Sequence, residues 1–325
     1  MAKEKEEDMT TMTPGERVRA ALKGEPVDRV PFCFWHHFKP EGSGEHLAEL
    51  TLEFFRTKFT LDIVKIMPDL RYPAPEPAIA QAADWERLPH LGLDTPSFRE
   101  QLICIRRLRA KLGPDFPLTL TLFSPLTMTF QLAGKETALT HLLEQPASFE
   151  QGLKTLAANE RELVGAAIEA GASGIFFSCM GATNIDMSPE DYARFGRPYD
   201  LEVLEHAQDG WLNIVHVHAD PSQQGDTLYF DRFIDYPVAA MSWSEQLTGP
   251  SLSEALRLTN KCLMGGLDER GPLTHGGERD IEREMLSAIA ETNGRRLILA
   301  NGCSVPDDTP EEWLHSARRL VEHLA

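Results

Sequence analysis

Two histidines separated by a single residue are the feature of this sequence that most directly suggests chemistry. His216 and His218 flank Val217 in a short apolar run. Residues two apart in a β-strand point to the same face, so we expect the two imidazoles to project together. Paired imidazoles suit a metal ion, but without a third ligand the motif is weak. A hydrogen-bonded pair of histidines fits the spacing equally well.

A cysteine near the C-terminus is the candidate for a third ligand. Cys303 follows Asn301 and Gly302, and a glycine lets the backbone turn sharply beside the thiol. Two nitrogens and one sulfur suit a zinc ion whose fourth position stays open for substrate. Taken alone, Cys303 also fits a small buried apolar residue. Cys179 is a candidate for a fourth ligand. The other three cysteines are expected in the core: Cys33, Cys104 and Cys262.

The elements that position these residues alternate along the chain. Eight short runs rich in β-branched and aromatic residues predict strands at 30–35, 62–67, 118–123, 174–179, 212–218, 239–243, 261–267 and 296–301. Helical segments lie between them, which predicts parallel strands buried on both faces. No glycine-rich loop follows the first run, as an open doubly wound sheet would require. We therefore expect an α/β architecture, a single (β/α)₈ TIM barrel over residues 13–325, after a disordered tail at 1–12.

Polar residues cluster where the predicted strands end, which is where barrel enzymes place their catalytic groups. Three are expected to take part in catalysis: Asp69, His36 and His37. Four are expected to contact the substrate: Asp62, Ser178, Trp243 and Asp268. For Asp62 a cap at the start of its strand is the alternative. Asp69 follows the end of the same strand, where a carboxylate can act as a general base or orient a substrate cation.

The composition limits the classes of partner. The 325-residue chain carries a formal net charge of −18, which repels nucleic-acid phosphates and anionic membrane surfaces. No apolar run approaches the roughly twenty residues that a membrane span requires, and the charged N-terminus lacks the apolar core of an export signal. We therefore expect a cytoplasmic protein with reduced cysteines that binds neither nucleic acid nor membrane.

Several segments resemble, in order and spacing, those of the uroporphyrinogen decarboxylase superfamily. They are residues 25–31, 84–88, 188–192, 266–268 and 301–303. The resemblance extends along nearly the whole chain and implies a (β/α)₈ barrel. The true decarboxylases of this superfamily carry two arginines after the first strand, whereas residues 35–41 contain none. They also have a histidine where this chain has Cys303. Because guanidiniums are hard to replace in a site that binds many carboxylates, porphyrinogen decarboxylation is disfavoured.

The chain is more similar to the corrinoid-dependent methyltransferases of the superfamily. That resemblance implies zinc bound by a His-x-Cys pair at the fifth strand and by a cysteine at the eighth. His216, His218 and Cys303 occupy these positions, with His218 in place of the first cysteine. In this branch zinc holds a thiolate that accepts a methyl group from methylcobalamin. Replacing a thiolate by an imidazole leaves more net positive charge on the ion, which favours a Lewis-acid role.

The resemblance thus implies a zinc-dependent methyltransferase that moves a methyl group between a corrinoid and a small acceptor such as a thiol. Its expected partners are a small-molecule substrate and a corrinoid protein, and its expected assembly is a homodimer. One alternative is a metal-free decarboxylase or lyase that acts on a smaller carboxylic acid, with Asp62 or Asp69 stabilising a protonated intermediate. Another is a non-catalytic barrel that binds a corrinoid or tetrapyrrole without turnover.

Overall fold

The computed structural model describes residues 11–219 and 225–324. Residues 1–10 of the expected disordered tail lie outside the described residues. Met12, near the end of that tail, donates its backbone N–H to the carboxylate of Asp28 (2.8 Å), and helix α1 begins directly afterwards at Pro14. The end of the predicted tail is therefore anchored to the folded chain.

Within the described residues, seven strands form one parallel sheet in chain order. The strands are β1 (Val64–Ile66), β2 (Leu118–Phe123), β3 (Gly174–Cys179), β4 (Ile214–Val217), β5 (Ala240–Ser242), β6 (Cys262–Leu267) and β7 (Leu297–Asn301). Each lies within one of the last seven predicted strands. Nearly all of their residues are buried, as expected for strands covered on both faces. The prediction of a parallel α/β fold is confirmed.

The first predicted strand, residues 30–35, is not a regular strand, so the expectation of eight strands in a closed barrel is corrected to a seven-stranded sheet. Phe32 forms only an isolated parallel bridge with Leu299 of β7. The segment also accepts a hydrogen bond from the backbone N–H of Asp62, just before β1 (3.0 Å). Pro31 explains the short pairing, because proline has no N–H to donate to a strand ladder.

Helices separate most of the strands and cover the sheet. They are α1 (Pro14–Lys23), α2 (Gly44–Leu52), α3 (Pro96–Leu112), α4 (Pro125–Ala133), α5 (Lys135–Glu144), α6 (Pro146–Glu169), α7 (Pro189–Phe195), α8 (Arg197–Glu205), α9 (Glu245–Thr248), α10 (Leu252–Leu258), α11 (Pro272–His275), α12 (Glu278–Thr292) and α13 (Glu311–Leu320). Ser124, Ser188 and Ser251 cap α4, α7 and α10 by accepting backbone N–H groups. Among the described residues, no helix is long and apolar enough to cross a membrane.

The strand register sets which side chains share the inner face. Ser178 of β3 pairs with His216 of β4, and His216 pairs with Ser242 of β5. Paired residues in a parallel sheet point to the same face, so these three side chains lie side by side. Val215 and Val217 alternate with His216 and pack into the apolar layer beneath the helices. The imidazole of His216 therefore lies on the inner face of the sheet, and the side chains of Val215 and Val217 lie on the outer face.

Asp62 lies at the opposite end of the sheet, before β1, and is only 1% exposed. Its carboxylate accepts hydrogen bonds from Arg17 (2.7 Å), Arg29 (2.6 Å) and the backbone N–H of Phe32 (2.8 Å). These protein donors occupy both carboxylate oxygens, far from the C-terminal ends of the strands. The expectation that Asp62 contacts the substrate is therefore wrong. Its role is to fix the segment around Phe32 against β1.

This buried ion pair predicts a stability effect. Asp62→Asn removes the negative charge that Arg17 and Arg29 share, and we expect the free energy of unfolding to fall by about 3 kcal/mol or more. Urea denaturation followed by circular dichroism measures it, with the exposed Asp308→Asn as the matched control. A loss below about 1 kcal/mol for Asp62→Asn would contradict this account.

Candidate functional site

Three of the predicted side chains converge where β4 and β7 end. The ligand atoms of His216, His218 and Cys303 all lie within 4.8 Å of one another. Cys303 Sγ is 3.8 Å from Nδ1 of His218. A Cβ on Gly302 would lie 2.6 Å from the Cα of Ser244, so only glycine allows this close approach. The structure thus brings the predicted trio together, with Gly302 as the residue that permits it.

The donor set fits a tetrahedral zinc ion. Zn–N bonds of about 2.0 Å and Zn–S bonds of about 2.3 Å place neighbouring ligand atoms about 3.5 Å apart in a tetrahedron. The 3.8 Å between Cys303 and His218 is close to that separation. A ligand set of two imidazoles and one thiolate leaves a fourth position for a substrate atom. The residues present can therefore hold the metal that the sequence predicts.

His216 is the most deeply buried member of the trio, at 4% exposure. Burial, with the neighbouring His218 and Lys65, lowers its pKa well below the usual value. Its ring stacks on Phe176 at a centroid distance of 5.4 Å, and its Nδ1 lies 3.3 Å from Ser242 Oγ. The imidazole is consequently neutral and held in a fixed orientation, which is the state that a metal requires.

The trio lines a cleft of about 130 Å³ at the C-terminal ends of the strands. Ser178, one of the predicted substrate-contacting residues, also lines it, and His37 stands at its edge. Its apolar wall consists of Trp35, Met67, Phe123, Phe176 and Met180. Small volume and apolar walls favour a short substrate whose reactive atom approaches the three ligand atoms.

Lys65 also lines this cleft, although it was not among the site residues predicted from the sequence. It is the middle residue of β1, 2% exposed, and burial lowers its pKa to about 7. Its Nζ lies over the rings of Phe176 (4.3 Å) and Trp35 (5.0 Å). The available signal was an ionisable residue inside an otherwise apolar strand, which is rare without a functional partner.

The predicted catalytic residues at the first two strand ends separate into two groups. His37 Nδ1 lies 2.7 Å from Asp69 Oδ1, and the other oxygen of Asp69 accepts the backbone N–H of Phe38 (2.6 Å). His37 therefore faces the cleft with its ring oriented by Asp69. His36 turns away and packs on Phe54, and burial lowers its pKa. Of the two histidines, His37 lines the cleft and His36 does not, so the structure gives no support to a catalytic role for His36.

Other predicted residues lie outside the cleft. Trp243 packs on Phe230 at 4.7 Å and donates its indole N–H to the carbonyl of Pro250. Asp268 accepts the backbone N–H of Arg270 (2.8 Å) and stabilises the turn after β6. Neither residue lines the cleft, so its lining gives no support to their predicted substrate contacts.

The thiol of Cys179 is buried and points to the Asp200 carboxylate (3.8 Å), which excludes it as a fourth ligand in this arrangement. The remaining cysteines, Cys33, Cys104 and Cys262, are buried as expected.

Glu269 lies beside Cys303, and Glu245 and the partly buried Glu284 lie near one another on the same side of the sheet as Glu269. Burial raises the pKa of Glu245 to about 8, of Glu284 to about 7, and also that of Glu269. Burial, followed by the nearby Glu269, raises the pKa of the Cys303 thiol. Without a metal, Cys303 is therefore a protonated thiol at neutral pH, because deprotonation would add a negative charge beside Glu269.

A larger chamber of about 460 Å³ adjoins the cleft. The two share His37, Pro68, Thr121 and Phe123 as a common wall. Asp69 lines the chamber, so the oriented pair of His37 and Asp69 stands between the two cavities.

The chain is similar to one protein family, to a relative found by sequence and to solved structures. The family model for uroporphyrinogen decarboxylase (URO-D) matches residues 61–324. A curated relative is the methylcobamide:CoM methyltransferase MtbA of Methanosarcina mazei, 22% identical over 356 aligned positions that span 97% of this chain and 98% of the relative.

Two solved structures share the fold. A methyltransferase from Methanosarcina mazei has a TM-score of 0.74 at 19% identity, covering 96% of this chain and 99% of the other. A protein from Listeria monocytogenes described as a putative vitamin-B12 independent methionine synthase has a TM-score of 0.56 at 11% identity, covering 87% and 86%. At these identities the similarity establishes the fold.

The carboxyl group of Glu245 predicts a pH dependence of stability. Its folded pKa of about 8 lies above the unfolded value of 4.5, so its contribution is complete below pH 4.5 and is lost as the pH rises through 8. Between pH 4.5 and pH 8 the free energy of unfolding of the wild type should fall by about 1 kcal/mol per pH unit relative to that of Glu245→Gln. Urea titrations at several pH values measure the difference, with the exposed Glu205→Gln as control. Parallel pH profiles for wild type and Glu245→Gln would refute the assignment.

Proposed function

Since the chain belongs to the uroporphyrinogen decarboxylase (URO-D) family, we propose that it is a zinc-dependent methyltransferase that moves a methyl group between a corrinoid and a small thiol. The observation that carries the proposal is the convergence of His216, His218 and Cys303 on one cleft, with ligand atoms within 4.8 Å. The relative that spans nearly the whole chain is named a methylcobamide:CoM methyltransferase, which supports a corrinoid donor and a thiol acceptor.

Different residues of the cleft would bind the metal, exclude water and accept a proton in such a transfer. When bound, zinc would lower the pKa of a substrate thiol and so supply the thiolate nucleophile. With zinc bound, His216 and His218 would be the neutral donors and Cys303 would contribute one negative charge to the ligand set. The apolar wall around Phe176 excludes water from the sulfur, which strengthens it as a nucleophile. His37, oriented by Asp69, is placed to take the thiol proton and release it to solvent.

The methyl donor must approach from outside the cleft, because a corrin ring is far larger than a cavity of about 130 Å³. The side chain of His37 is 53% exposed, and Cys303 and His218 are partly exposed. A methyl group carried by free methylcobalamin or by a corrinoid protein can therefore reach this edge of the sheet. A corrinoid protein partner, a homodimer and a cytoplasmic location stay predictions.

The decarboxylase alternative has less support in the side chains of the cleft. Of its two predicted acids, Asp62 is occupied by Arg17 and Arg29 at the other end of the sheet. Asp69 is already bonded to His37 and Phe38. Lys65 is the one lysine or arginine that lines the cleft in the described part of the chain, which counts against a porphyrinogen with many carboxylates but not against a smaller acid.

Metal binding is the first consequence to test. Protein purified without added zinc and then dialysed against zinc should retain about one ion per chain, measured by elemental analysis. His216→Ala, His218→Ala and Cys303→Ala should each lower zinc affinity at least about 100-fold, because three protein ligands are needed for a stable site. Cys104→Ala and His206→Ala are matched controls far from the cleft and should retain the metal. A folded wild type that binds no zinc would refute the proposal.

Methyl transfer is the second consequence. With methylcobalamin and a panel of small thiols, the zinc-loaded protein should form one methyl thioether for each cobalt–carbon bond broken. The thiolate sulfur gains the methyl group, and cobalt keeps the electron pair as cob(I)alamin. Mass spectrometry of the thioether and the corrin absorption follow the two products. Cys303→Ser should slow the reaction by about 100-fold or more. Release of CO₂ from a carboxylic acid by metal-free protein, without methyl transfer, would favour the decarboxylase instead.

A further inference from the structure

Glu160 is a buried carboxyl group that the described part of the chain leaves without a hydrogen-bond partner. It lies in α6 and is 3% exposed, and neither of its two oxygens accepts a hydrogen bond from the described residues. Burial raises its pKa well above the usual value, and the nearby carboxyl group of Asp200 adds to the shift. Burying a polar group without a partner is unfavourable, so Glu160 lowers the stability of the protein unless a molecule outside the chain supplies a donor.

Other buried polar groups close to Glu160 in the structure have partners within the protein. Asn159, the preceding residue of α6, donates its amide to the hydroxyl of Tyr72 (2.7 Å) and to the carbonyl of Pro89 (3.0 Å). Asp84, which is 4% exposed, accepts two backbone N–H groups at 2.9 and 3.0 Å. Among the described residues, Glu160 is the one buried carboxyl group of which both oxygens lack a partner.

Glu160 lines the chamber of about 460 Å³ that adjoins the cleft. The ladder between β1 and β2 ends at Ile66, whereas β2 continues to Phe123, which leaves a gap between the two strand ends. Successive residues of a strand point to opposite faces, and both Thr121 and Leu122 line the chamber. The chamber therefore extends from the inner face of the sheet into the helix layer, and its volume is within the range of pockets that bind small molecules.

The charges around Glu160 favour a cationic partner. Asp200 is also fully buried, and its Oδ1 has no hydrogen-bond partner among the described residues. Two interacting carboxyl groups cannot both ionise without repulsion, and a cation beside them relieves that repulsion. Of the described residues that line the chamber, Arg71 is the one lysine or arginine, and it is exposed to solvent. The net charge of −18 also attracts cations to the protein.

We propose that the chamber is a second ligand site, which binds a small primary amine with its ammonium group on Glu160. The apolar part of the amine packs against the apolar walls of the chamber, which include Phe98, Leu122, Met128, Leu132 and Leu163. An ammonium donates charged hydrogen bonds to a carboxylate, so it supplies what both oxygens of Glu160 lack. None of the three proposed zinc ligands lines the chamber. Amine binding is therefore independent of the metal and of the proposed function.

The test compares two probes of the same shape that differ in charge. Isothermal titration calorimetry measures the dissociation constants of 2-phenylethylamine and 2-phenylethanol for wild type, both zinc-loaded and metal-free. Charged hydrogen bonds to Glu160 should favour the amine by about 10- to 100-fold in both forms. In Glu160→Gln, which keeps the size of the side chain, the preference should fall below about threefold. The exposed Glu162→Gln in the same helix is the matched control and should behave as wild type.

The outcomes separate this site from the proposed zinc site. Equal affinity of wild type for the two probes, or no binding of the amine, would overturn the proposal without affecting zinc binding. A preference for the amine that persists in folded Glu160→Gln would overturn it as well, because the ammonium would then bind elsewhere. So would an amine affinity that requires zinc, since an amine nitrogen can bind the metal directly. The comparison of the two probes on wild type does not depend on any variant folding.

Discussion

The two-residue alternation of β4 is the constraint on which the candidate site depends. His216 faces the inner side of the sheet because Val215 and Val217 are required in the apolar layer on the other side. A shift of one residue in register would move the imidazole into the helix layer and separate it from Cys303. Burial of the valines therefore fixes the position of the metal-binding histidine as firmly as any contact within the cleft.

The two ends of the sheet treat buried charge in opposite ways. At the N-terminal end, Asp62 is enclosed by Arg17 and Arg29, and the cluster joins the first segment of the chain to the sheet. At the C-terminal end, Lys65 and the three ligand residues line one cleft, and none of the described residues that line it is a carboxylate. Paired charges stabilise the fold at one end of the sheet, and ionisable groups at the other end are available to a ligand.

Much of this arrangement follows from the sequence, because apolar runs report burial directly. Seven of the eight predicted strands are observed, and the H-x-H spacing with Cys303 located the candidate metal site. The first strand was not predicted correctly, since Pro31 interrupts its ladder in a way that a hydrophobic run does not reveal. The positions of side chains that depend on tertiary partners could not be predicted. His36 and Trp243 were assigned to the site but pack on aromatic neighbours. Lys65 was missed, because only the fold brings it beside Phe176 and the trio.

We propose that the trio binds zinc and leaves one position for a thiol. X-ray absorption at the zinc edge measures the ligand set, because sulfur at about 2.3 Å and nitrogen at about 2.0 Å give distinct shells. We expect one sulfur and two imidazole nitrogens in zinc-loaded protein, and a second sulfur after a small thiol is added. A shell of nitrogen and oxygen only, or a spectrum unchanged by the thiol, would contradict it.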